Sequence, residues 1–316
     1  MTYALYYAGM ANDMVTEQIG LALSPDGRRF QRVGDGLLVP AKASHPWKGL
    51  RTCNPTVIAV PGGFRMYYQG ISAERDICIA GGFSGDGLAW DFDDEPCLTV
   101  PMLAEALEAP ERRITDVLEP AVLVDGDGLR MWFVTRGANE PGNRLHHARS
   151  ADGRTWRLDG VGLVAGTLFG PGRQIHYPQI VPRGSGFDVY LSVRAKGGYF
   201  TVVRGQSANG LAIDGWREVI PRRFRRGFLD RLAHRLIRRA RPYALGLAHS
   251  HVVAGEEAGA VYYHAYHLDA RRRIFMDIVR AESPSSGAVE PALSPAVPAD
   301  AWDAFFVADP FIIRLD

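Results

Sequence analysis

The sequence is poor in the features that define several large classes of protein. It has three cysteines, Cys53, Cys78 and Cys97, among 316 residues, which are too few and too scattered for a disulfide framework or a zinc site. No apolar run approaches the roughly 18–20 residues that span a bilayer. The first residues also lack the basic, apolar and small-residue regions of a secretory signal. We therefore expect a cytoplasmic protein with reduced thiols.

The sequence also has little excess of charge of either sign. Lysine and arginine total 36 and aspartate and glutamate total 35, so the net charge is +1, which gives no reason to expect nucleic-acid binding. The apolar content of 47% and the charged content of 22% are ordinary for a globular chain. A chain of this length can bury a large core, and we expect a single domain over residues 1–316.

One pattern recurs five times along the chain. Each copy is an apolar strand, a turn rich in Ser, Asp and Gly, and usually an aromatic residue, and Asp-Gly turns suit tight hairpins. The copies lie at residues 19–30, 77–90, 145–156, 201–216 and 276–287. A strand rich in aromatic and β-branched residues precedes each copy, as in FRMYYQG at 64–70 and LRMWFVTRG at 129–137. The repeats indicate a protein built from similar antiparallel units.

One displaced strand indicates how the repeats are completed. Four copies are preceded by a further apolar strand that starts near a polar residue, at 53–60, 118–124, 176–181 and 248–253. The first copy lacks this strand, and ADPFIIR at 308–314 supplies it from the other end of the chain. Pairing of the C-terminal strand with the N-terminal strands would close a ring without exposed sheet edges. The sequence therefore predicts an all-β, five-bladed β-propeller. A two-sheet β-sandwich, the alternative, would not explain the displaced strand.

One insertion interrupts the repeats at residues 222–241. Its apolar residues recur at helical spacing, with arginines on the other face, which predicts a basic helix. Two roles remain open for it. The helix either lies across one end of the propeller or contacts a partner or a membrane surface.

The innermost strand of each propeller blade starts near the central axis, and the sequence has a polar residue at each of these starts. In ring order they are Asp309, Asn54, Glu119, Tyr177 and His249. His251 follows His249 by two residues and so shares its side of the strand. Structural roles are the alternative, since a carboxylate before proline can cap a turn and a buried histidine can serve packing alone.

Three arginines are predicted to line the mouth of the same pocket. Arg75, Arg136 and Arg194 follow or end the second strands, which return to the face where the first strands start. Carboxylates at the floor and arginines at the wall predict a polar or anionic small-molecule ligand, although the arginines could instead be solvated loop residues. The mixture of side chains is unsuited to a transition metal. We expect no metal and no cofactor, with an axial calcium ion left open.

These features resemble the five-bladed glycoside hydrolases of families 43, 32 and 130. The resemblance rests on the five-bladed layout, the ADP and EP strand starts and the repeated IGLALSPDGRRF-like hairpins. Asp309 matches the general base of family 43, and Glu119 occupies the position of its third-blade carboxylate. Tyr177 stands where the family has its general-acid glutamate. His249 matches a fifth-blade histidine.

The departure at Tyr177 leaves the proton donor open, because cleavage of a glycosidic bond generally uses a carboxylate pair. Glu119 could take the acid role, and His176 or His249 could also donate a proton. The CNP strand start resembles one in the phosphorylase family, whose members bind phosphate through basic residues. Arg136, Arg194 and Lys196 could take that role in this chain. The chain has LEPAV where that family has EDPR.

The function expected from this resemblance is inverting hydrolysis of a small intracellular glycoside, with Asp309 as base and Glu119 as acid or its partner. Asn54, His176, His251 and the three arginines would bind the substrate. Two alternatives remain. One is a diverged, non-hydrolytic enzyme of small-molecule or glycolipid biosynthesis on the same scaffold, and the other is a non-catalytic binding propeller.

Overall fold

The structure, a computed structural model, is an all-β protein with one short helix in the part of the chain that it describes. The described residues are 2–42, 45–107, 114–126, 128–138, 142–195, 200–219, 246–253, 260–268, 274–283 and 288–315. The segment 222–241, for which the sequence predicts a basic helix, lies outside these residues, as does Lys196. None of the helices described is long and apolar enough to span a membrane.

The described strands form three sheets, of eight, four and eight strands. A single parallel residue pair joins the two halves of each larger sheet, Glu17–Arg51 and Phe200–Gly246, and the antiparallel pairing divides the strands into five groups of four. In chain order the strands are β1 (Thr2–Met10), β2 (Glu17–Ser24), β3 (Gln31–Val39), β4 (Arg51–Val60), β5 (Gly63–Ile71), β6 (Ile77–Ser84), β7 (Asp91–Phe92), β8 (Ile114–Asp125), β9 (Gly128–Gly137), β10 (Arg144–Ser150), β11 (Arg157–Ala165), β12 (Gln174–Arg183), β13 (Gly186–Arg194), β14 (Phe200–Ser207), β15 (Asp214–Glu218), β16 (Gly246–Val252), β17 (Val261–Leu268), β18 (Ile274–Ala281), β19 (Glu290–Leu293) and β20 (Phe306–Leu315). The helix, α1 (Val100–Leu107), precedes β8, and 3₁₀ turns cover Pro46–Lys48 and Gly166–Phe169.

The first group draws its strands from both ends of the chain. Its order is β20–β1–β2–β3, and β20 is antiparallel to β1 from the pair Thr2–Leu315 to the pair Met10–Phe306. The other groups are β4–β7, β8–β11, β12–β15 and β16–β19. The first strands of the groups are neighbours in the order β20, β4, β8, β12 and β16, and β16 also contacts β20.

The core explains why the second strand of each group is so aromatic. Adjacent residues of a strand point to opposite faces of the sheet, yet both members of pairs such as Tyr67–Tyr68 and Trp132–Phe133 are fully buried. Both faces of these sheets are therefore covered by neighbouring groups. The corresponding pairs elsewhere are Tyr6–Tyr7, Tyr190–Leu191 and Tyr262–Tyr263.

The repeated Ser/Asp/Gly segments form the turns between the third and fourth strands. Ser84 shows the pattern: its hydroxyl oxygen accepts the N–H of Gly87 at 2.8 Å, and Gly87 has a left-handed backbone with φ of 76°. The same bond joins Ser24 to Gly27, Ser150 to Gly153 and Ser207 to Gly210. Glycine is needed here because it adopts positive φ without strain.

Each of these turns is also bonded to the preceding group. The donor is the first residue of the buried pair in that group's second strand, and the acceptor is the glycine carbonyl. The donor–acceptor pairs are Tyr6–Gly87, Tyr67–Gly153, Trp132–Gly210 and Tyr262–Gly27. The last pair joins the fifth group to the first. The repeated turn therefore joins neighbouring strand groups through a hydrogen bond.

Tyr67→Phe should destabilise the protein by about 1–2 kcal/mol, because it leaves the carbonyl of Gly153 without its buried donor. The neighbouring Tyr68→Phe is the matched control. Tyr68 is equally buried, and its hydroxyl has no hydrogen-bond partner among the described residues, so its loss should be neutral or stabilising. Urea unfolding of both variants measures the difference. Equal losses of stability in both variants would show that the Tyr67–Gly153 hydrogen bond contributes nothing to the free energy of unfolding.

Candidate functional site

The five residues that the sequence places at the axis share an unusual backbone. Their φ angles lie between 50° and 56°, a left-handed conformation that is costly for side chains other than glycine, at about 1–3 kcal/mol each. They are Asn54, Glu119, Tyr177, His249 and Asp309. Each lies where the pairing of the first strand with the second shifts register. Such bulges turn a side chain away from its usual direction and are common next to active sites.

The bulges bring these five residues into a hydrogen-bonded circle. The backbone N–H of Glu119 is bonded to Oε1 of Gln69 at 3.2 Å, and that of His249 to Oγ of Ser192 at 2.8 Å. The backbone nitrogen of Asp309 lies 3.3 Å from Nδ1 of His264. In each case the partner atom belongs to the second strand of the preceding group.

The two remaining circle residues use the carboxylates as acceptors. The position that holds Gln69, Ser192 and His264 in three groups is Ala8 in the first group and Val134 in the third. Neither has a side chain that accepts a hydrogen bond. Asp309 instead accepts the N–H of Asn54 at 3.2 Å, and Glu119 accepts the N–H of Tyr177 at 2.8 Å. Both carboxylates therefore link the start of one first strand to the start of the next.

Asp309 is a buried carboxylate at the centre of the site. Its Oδ1 lies 3.1 Å from Nδ1 of His249 and 3.3 Å from Nδ1 of His264. Burial opposes ionisation of this group, but the hydrogen bonds from the two histidines outweigh it, so the pKa of Asp309 lies below its usual value. Asp309 is ionised at neutral pH. Because Nδ1 of His264 also faces the backbone N–H of Asp309, the tautomer of this ring decides which contact is the hydrogen bond.

Glu119 forms a second carboxylate–histidine pair. Its Oε1 lies 2.8 Å from Nδ1 of His176, while Oε2 accepts the N–H of Tyr177. Glu119 is only 6% exposed, so its two oxygens are enclosed by the ring of His176 and the backbone of Tyr177.

Aromatic rings form the side of the site next to these carboxylates. The ring of Tyr177 is stacked on that of His249 with centroids 4.7 Å apart, and Phe200 is stacked on Tyr266 at the same distance. Burial and the neighbouring Tyr266 raise the pKa of Tyr177 well above its usual value. The phenol is thus a weak acid here, although it can still bind and orient a ligand.

The other predicted binding residues differ in their surroundings. Asn54 donates through Nδ2 to Gln69, and its Oδ1 has no partner among the described residues, so this oxygen can accept from a ligand. His251 is buried, with Nε2 2.9 Å from the carbonyl oxygen of Ile312. Burial lowers its pKa to about 3. His251 thus serves the core in this structure.

The three predicted arginines lie in the surface around these residues. Arg136 pairs with Asp116 at 3.2 Å, and Arg194 lies over the ring of Phe200 at 5.8 Å. Arg75 is exposed, in the turn after β5, and has a positive φ. No hydrogen bond described in the structure joins these arginines to the circle residues.

Sequence reasoning missed Glu17, at the start of β2. One carboxyl oxygen of Glu17 lies within 4.8 Å of a carboxyl oxygen of Asp309 and of the sulfur of Cys53. Glu17 contacts Arg51 at 3.5 Å. Burial and the charge of Asp309 raise the pKa of Glu17 to about 8. No repeat marks this residue, since it belongs to a third strand rather than a first one.

The site also contains donor atoms of the kind that hold metals. One nitrogen each from His249 and His264 and one oxygen of Asp309 lie within 4.8 Å of one another. Hydrogen bonds account for the close approach of these atoms without an ion. The expectation that the protein uses no metal stays a prediction.

An apolar cavity of about 290 Å³ lies along the first strands next to the circle. Its lining includes the prolines that follow three circle residues, Pro55, Pro120 and Pro178, together with His249 and His251. His249 therefore contacts both the polar circle and the apolar cavity.

Comparison with known proteins gives structural but not sequence relatives. No protein-family model matches the chain, and no curated protein matches it in sequence. A thermostable family-43 glycoside hydrolase superposes with a TM-score of 0.59 at 13% identity, over 93% of this chain and 91% of that one. The Bombyx mori family-32 β-fructofuranosidase superposes with a TM-score of 0.58 at 10% identity, over 92% of this chain and 59% of that one.

A third similar structure comes from the GH130 family of mannoside phosphorylases, described as containing glycoside hydrolases that target β-1,2 mannosidic linkages in Candida mannan. It has a TM-score of 0.52 at 14% identity, over 79% of this chain and 73% of that one. At these identities the likeness concerns the fold. The protein has the propeller-type fold of glycoside hydrolases, and the three families that its sequence resembles are all among its structural neighbours.

Proposed function

We propose that the five strand groups are the blades of one closed propeller and that the protein hydrolyses a glycosidic bond at its centre. Three observations support the closed ring: the pairing of β20 with β1, the contact of β16 with β20, and the bond from Tyr262 to Gly27. The first and third join the last part of the chain to its beginning, and the second places the fifth group against β20 of the first group. The likeness to glycoside hydrolases supports the chemistry.

The observation that carries the proposal is the ionised, buried Asp309 in a circle of polar residues. A carboxylate in this position can activate water or attack an anomeric carbon, the two roles of such a group in glycosidases. Asn54 offers a free acceptor for a sugar hydroxyl, and the Tyr177–His249 stack offers a flat surface for the C–H face of a sugar ring. We therefore infer a small, polar, glycosidic substrate. That it is intracellular stays an expectation from the sequence.

Two versions of the reaction follow from two possible proton donors. Inversion with Asp309 as base and Glu119 as acid is the version expected from the sequence, and it requires a proton on Glu119, whose Oε1 lies against Nδ1 of His176. The other version has a different proton donor and retains the anomeric configuration. Proton NMR of the first-formed anomer separates the two.

The second candidate function is acid–base chemistry on another bond, as in small-molecule or glycolipid biosynthesis. It is favoured by the two carboxylate–histidine pairs, Asp309 with His249 and Glu119 with His176. A histidine oriented by a carboxylate is a common general base. A binding propeller that docks partners through residues 222–241 is a third possibility, and these residues lie outside the described part of the chain.

Hydrolysis of a broad panel of aryl and alkyl furanosides and pyranosides tests the proposal. We expect turnover of at least one compound, and we expect that turnover to fall when Asp309 is replaced by Asn. Absence of turnover across the panel would contradict the hydrolase proposal and favour the second candidate.

A further inference from the structure

We propose that Glu17 is the proton donor of this site and that Asp309 is its ionised partner. The proposal rests on the glycosidase function and assigns the acid that the sequence leaves open. It concerns a residue outside the circle, on the third strand of the first group, next to the start of β4.

The geometry places Glu17 within reach of the reacting groups. A carboxyl oxygen of Glu17 lies within 4.8 Å of one of Asp309 and of the Cys53 sulfur. Glu17 is 9% exposed, the same as His249 and more than Asp309 at 3%. Glu17 is therefore as exposed as His249, although less exposed than Tyr177.

Two carboxyl groups at this separation and burial do not both ionise readily, because their like charges repel in a medium of low polarity. Three groups face Glu17 from the neighbouring strands: Arg51 and Cys53 from β4 and Asp309 from β20. Arg51 is the one cation among them, and its Nε is also bonded to the carbonyl of Val15. Burial raises the pKa of the Cys53 thiol, so Cys53 adds no charge at neutral pH.

The surroundings decide which carboxyl group keeps the proton. Asp309 accepts the N–H of Asn54, and a proton on Nδ1 of His249 or His264 also favours its charged form. Among the described residues, the ion pair of Glu17 is its contact of 3.5 Å with Arg51, which is longer than a strong charge-assisted hydrogen bond. The proton therefore belongs to Glu17. The raised pKa of Glu17, about 8, agrees with this assignment.

The separation also indicates the stereochemistry. Carboxyl pairs of retaining glycosidases lie about 5–5.5 Å apart and those of inverting ones roughly 6.5–9.5 Å. One carboxyl oxygen of Glu17 lies within 4.8 Å of one of Asp309, which is closer than the spacing of inverting pairs, so we assign the pair to the retaining reaction. Glu17 gives its proton to the leaving-group oxygen as the C–O bond breaks and Asp309 bonds to the anomeric carbon. Glu17, now a carboxylate, then takes a proton from water, the hydroxide oxygen replaces Asp309 at the anomeric carbon, and both carboxyl groups return to their starting states.

Glu17→Gln tests the assignment through leaving-group dependence. With alkyl glycosides, whose leaving oxygen needs a proton, kcat/KM should fall by about 10²–10⁴-fold. With dinitrophenyl glycosides, whose leaving group departs as the anion, the first step should be nearly unchanged. The basic limb of the pH profile near pH 8 should disappear. Equal losses on both substrates with the limb intact, or an inverted product from wild type, would overturn the proposal.

A second measurement does not depend on activity. In wild-type protein with ¹³C-labelled glutamate, the Glu17 carboxyl carbon should titrate near pH 8, and in Asp309→Asn it should titrate at lower pH because the neighbouring charge is gone. Exposed Glu282 is the internal control, since its pKa lies below its usual value. Titration of Glu17 near its ordinary value of about 4.3 would overturn the assignment. A panel without any turnover would instead contradict the glycosidase function, and the titration would still decide which group holds the proton.

Discussion

Asp309→Asn reduces turnover of any glycoside that the wild type hydrolyses by about 10²–10⁴-fold, the range expected for loss of a general base and a lower bound for loss of a nucleophile. The amide neither takes a proton from water nor bonds to an anomeric carbon. The measurement is kcat/KM for wild type and variant on the best substrate of the panel. The binding of substrate should change much less, because the amide still offers one oxygen to His249.

Asp303→Asn is the matched control for this substitution. Asp303 is also fully buried, and it accepts hydrogen bonds from Tyr7 and Arg32 away from the circle residues. Its replacement should lower stability without lowering kcat/KM per folded molecule. If the two variants lose activity in proportion to their loss of stability, then Asp309 acts only as the structural acceptor of the Asn54 N–H.

Loss of activity in Asp309→Asn alone does not identify the acid. Glu119→Gln separates the two versions of the reaction when its leaving-group dependence is compared with that of Glu17→Gln. The donor is the residue whose replacement slows alkyl glycosides far more than dinitrophenyl glycosides. The other residue, acting through the structure, should slow both classes alike.

The sequence was sufficient to predict the repeated parts of this structure. The Ser/Asp/Gly turns, the aromatic second strands and the five polar strand starts recur at regular positions, so each copy supported the others. The strand starts at Asn54, Glu119 and Asp309 indeed share one backbone conformation. A pattern that recurs five times is informative even where each single copy is weak.

The hydrogen-bonding role of the two carboxylates depends on a position that carries no obvious signal. The residue after the aromatic pair of the second strand is Gln69, Ser192 or His264 in three groups and apolar in the other two. Its role as a hydrogen-bond acceptor depends on the first strand of the following group, whose bulge places a backbone N–H against it. Glu17 could not be predicted for a related reason, since it meets Asp309 through a contact between strands distant in sequence.

Catalytic roles could not be assigned from family position alone, because a motif does not determine the proton affinity of its side chains. The resemblance would place Tyr177 at the general-acid position, yet burial weakens its phenol as an acid. It would place Glu119 where the family has its third-blade aspartate, and the oxygens of Glu119 contact His176 and the N–H of Tyr177. A motif gives the position of a side chain, whereas its proton affinity depends on neighbours contributed by other strands.

Glu17 also makes the stability of the fold depend on pH in a way that needs no substrate. Its pKa is raised from 4.5 to about 8 on folding. Between these values the folded protein keeps a proton that the unfolded chain has released, so the free energy of unfolding falls as pH rises. Each pH unit in this interval costs about 1.4 kcal/mol, which sets an upper bound of about 5 kcal/mol. The loss is complete above about pH 8.

Glu17→Gln removes the titrating group, so the variant should gain stability relative to wild type as pH rises from about 5 to 8, by about 2–4 kcal/mol. Urea unfolding of both proteins across this range gives the difference curve, in which all other titrating groups cancel. Glu282→Gln is the control: Glu282 has a lowered pKa from its bonds to Arg280 and Arg28, so its difference curve should not rise over this interval. A flat curve for Glu17→Gln would mean that Glu17 is ionised in the folded protein, and Arg51 would then have to balance two neighbouring carboxylates.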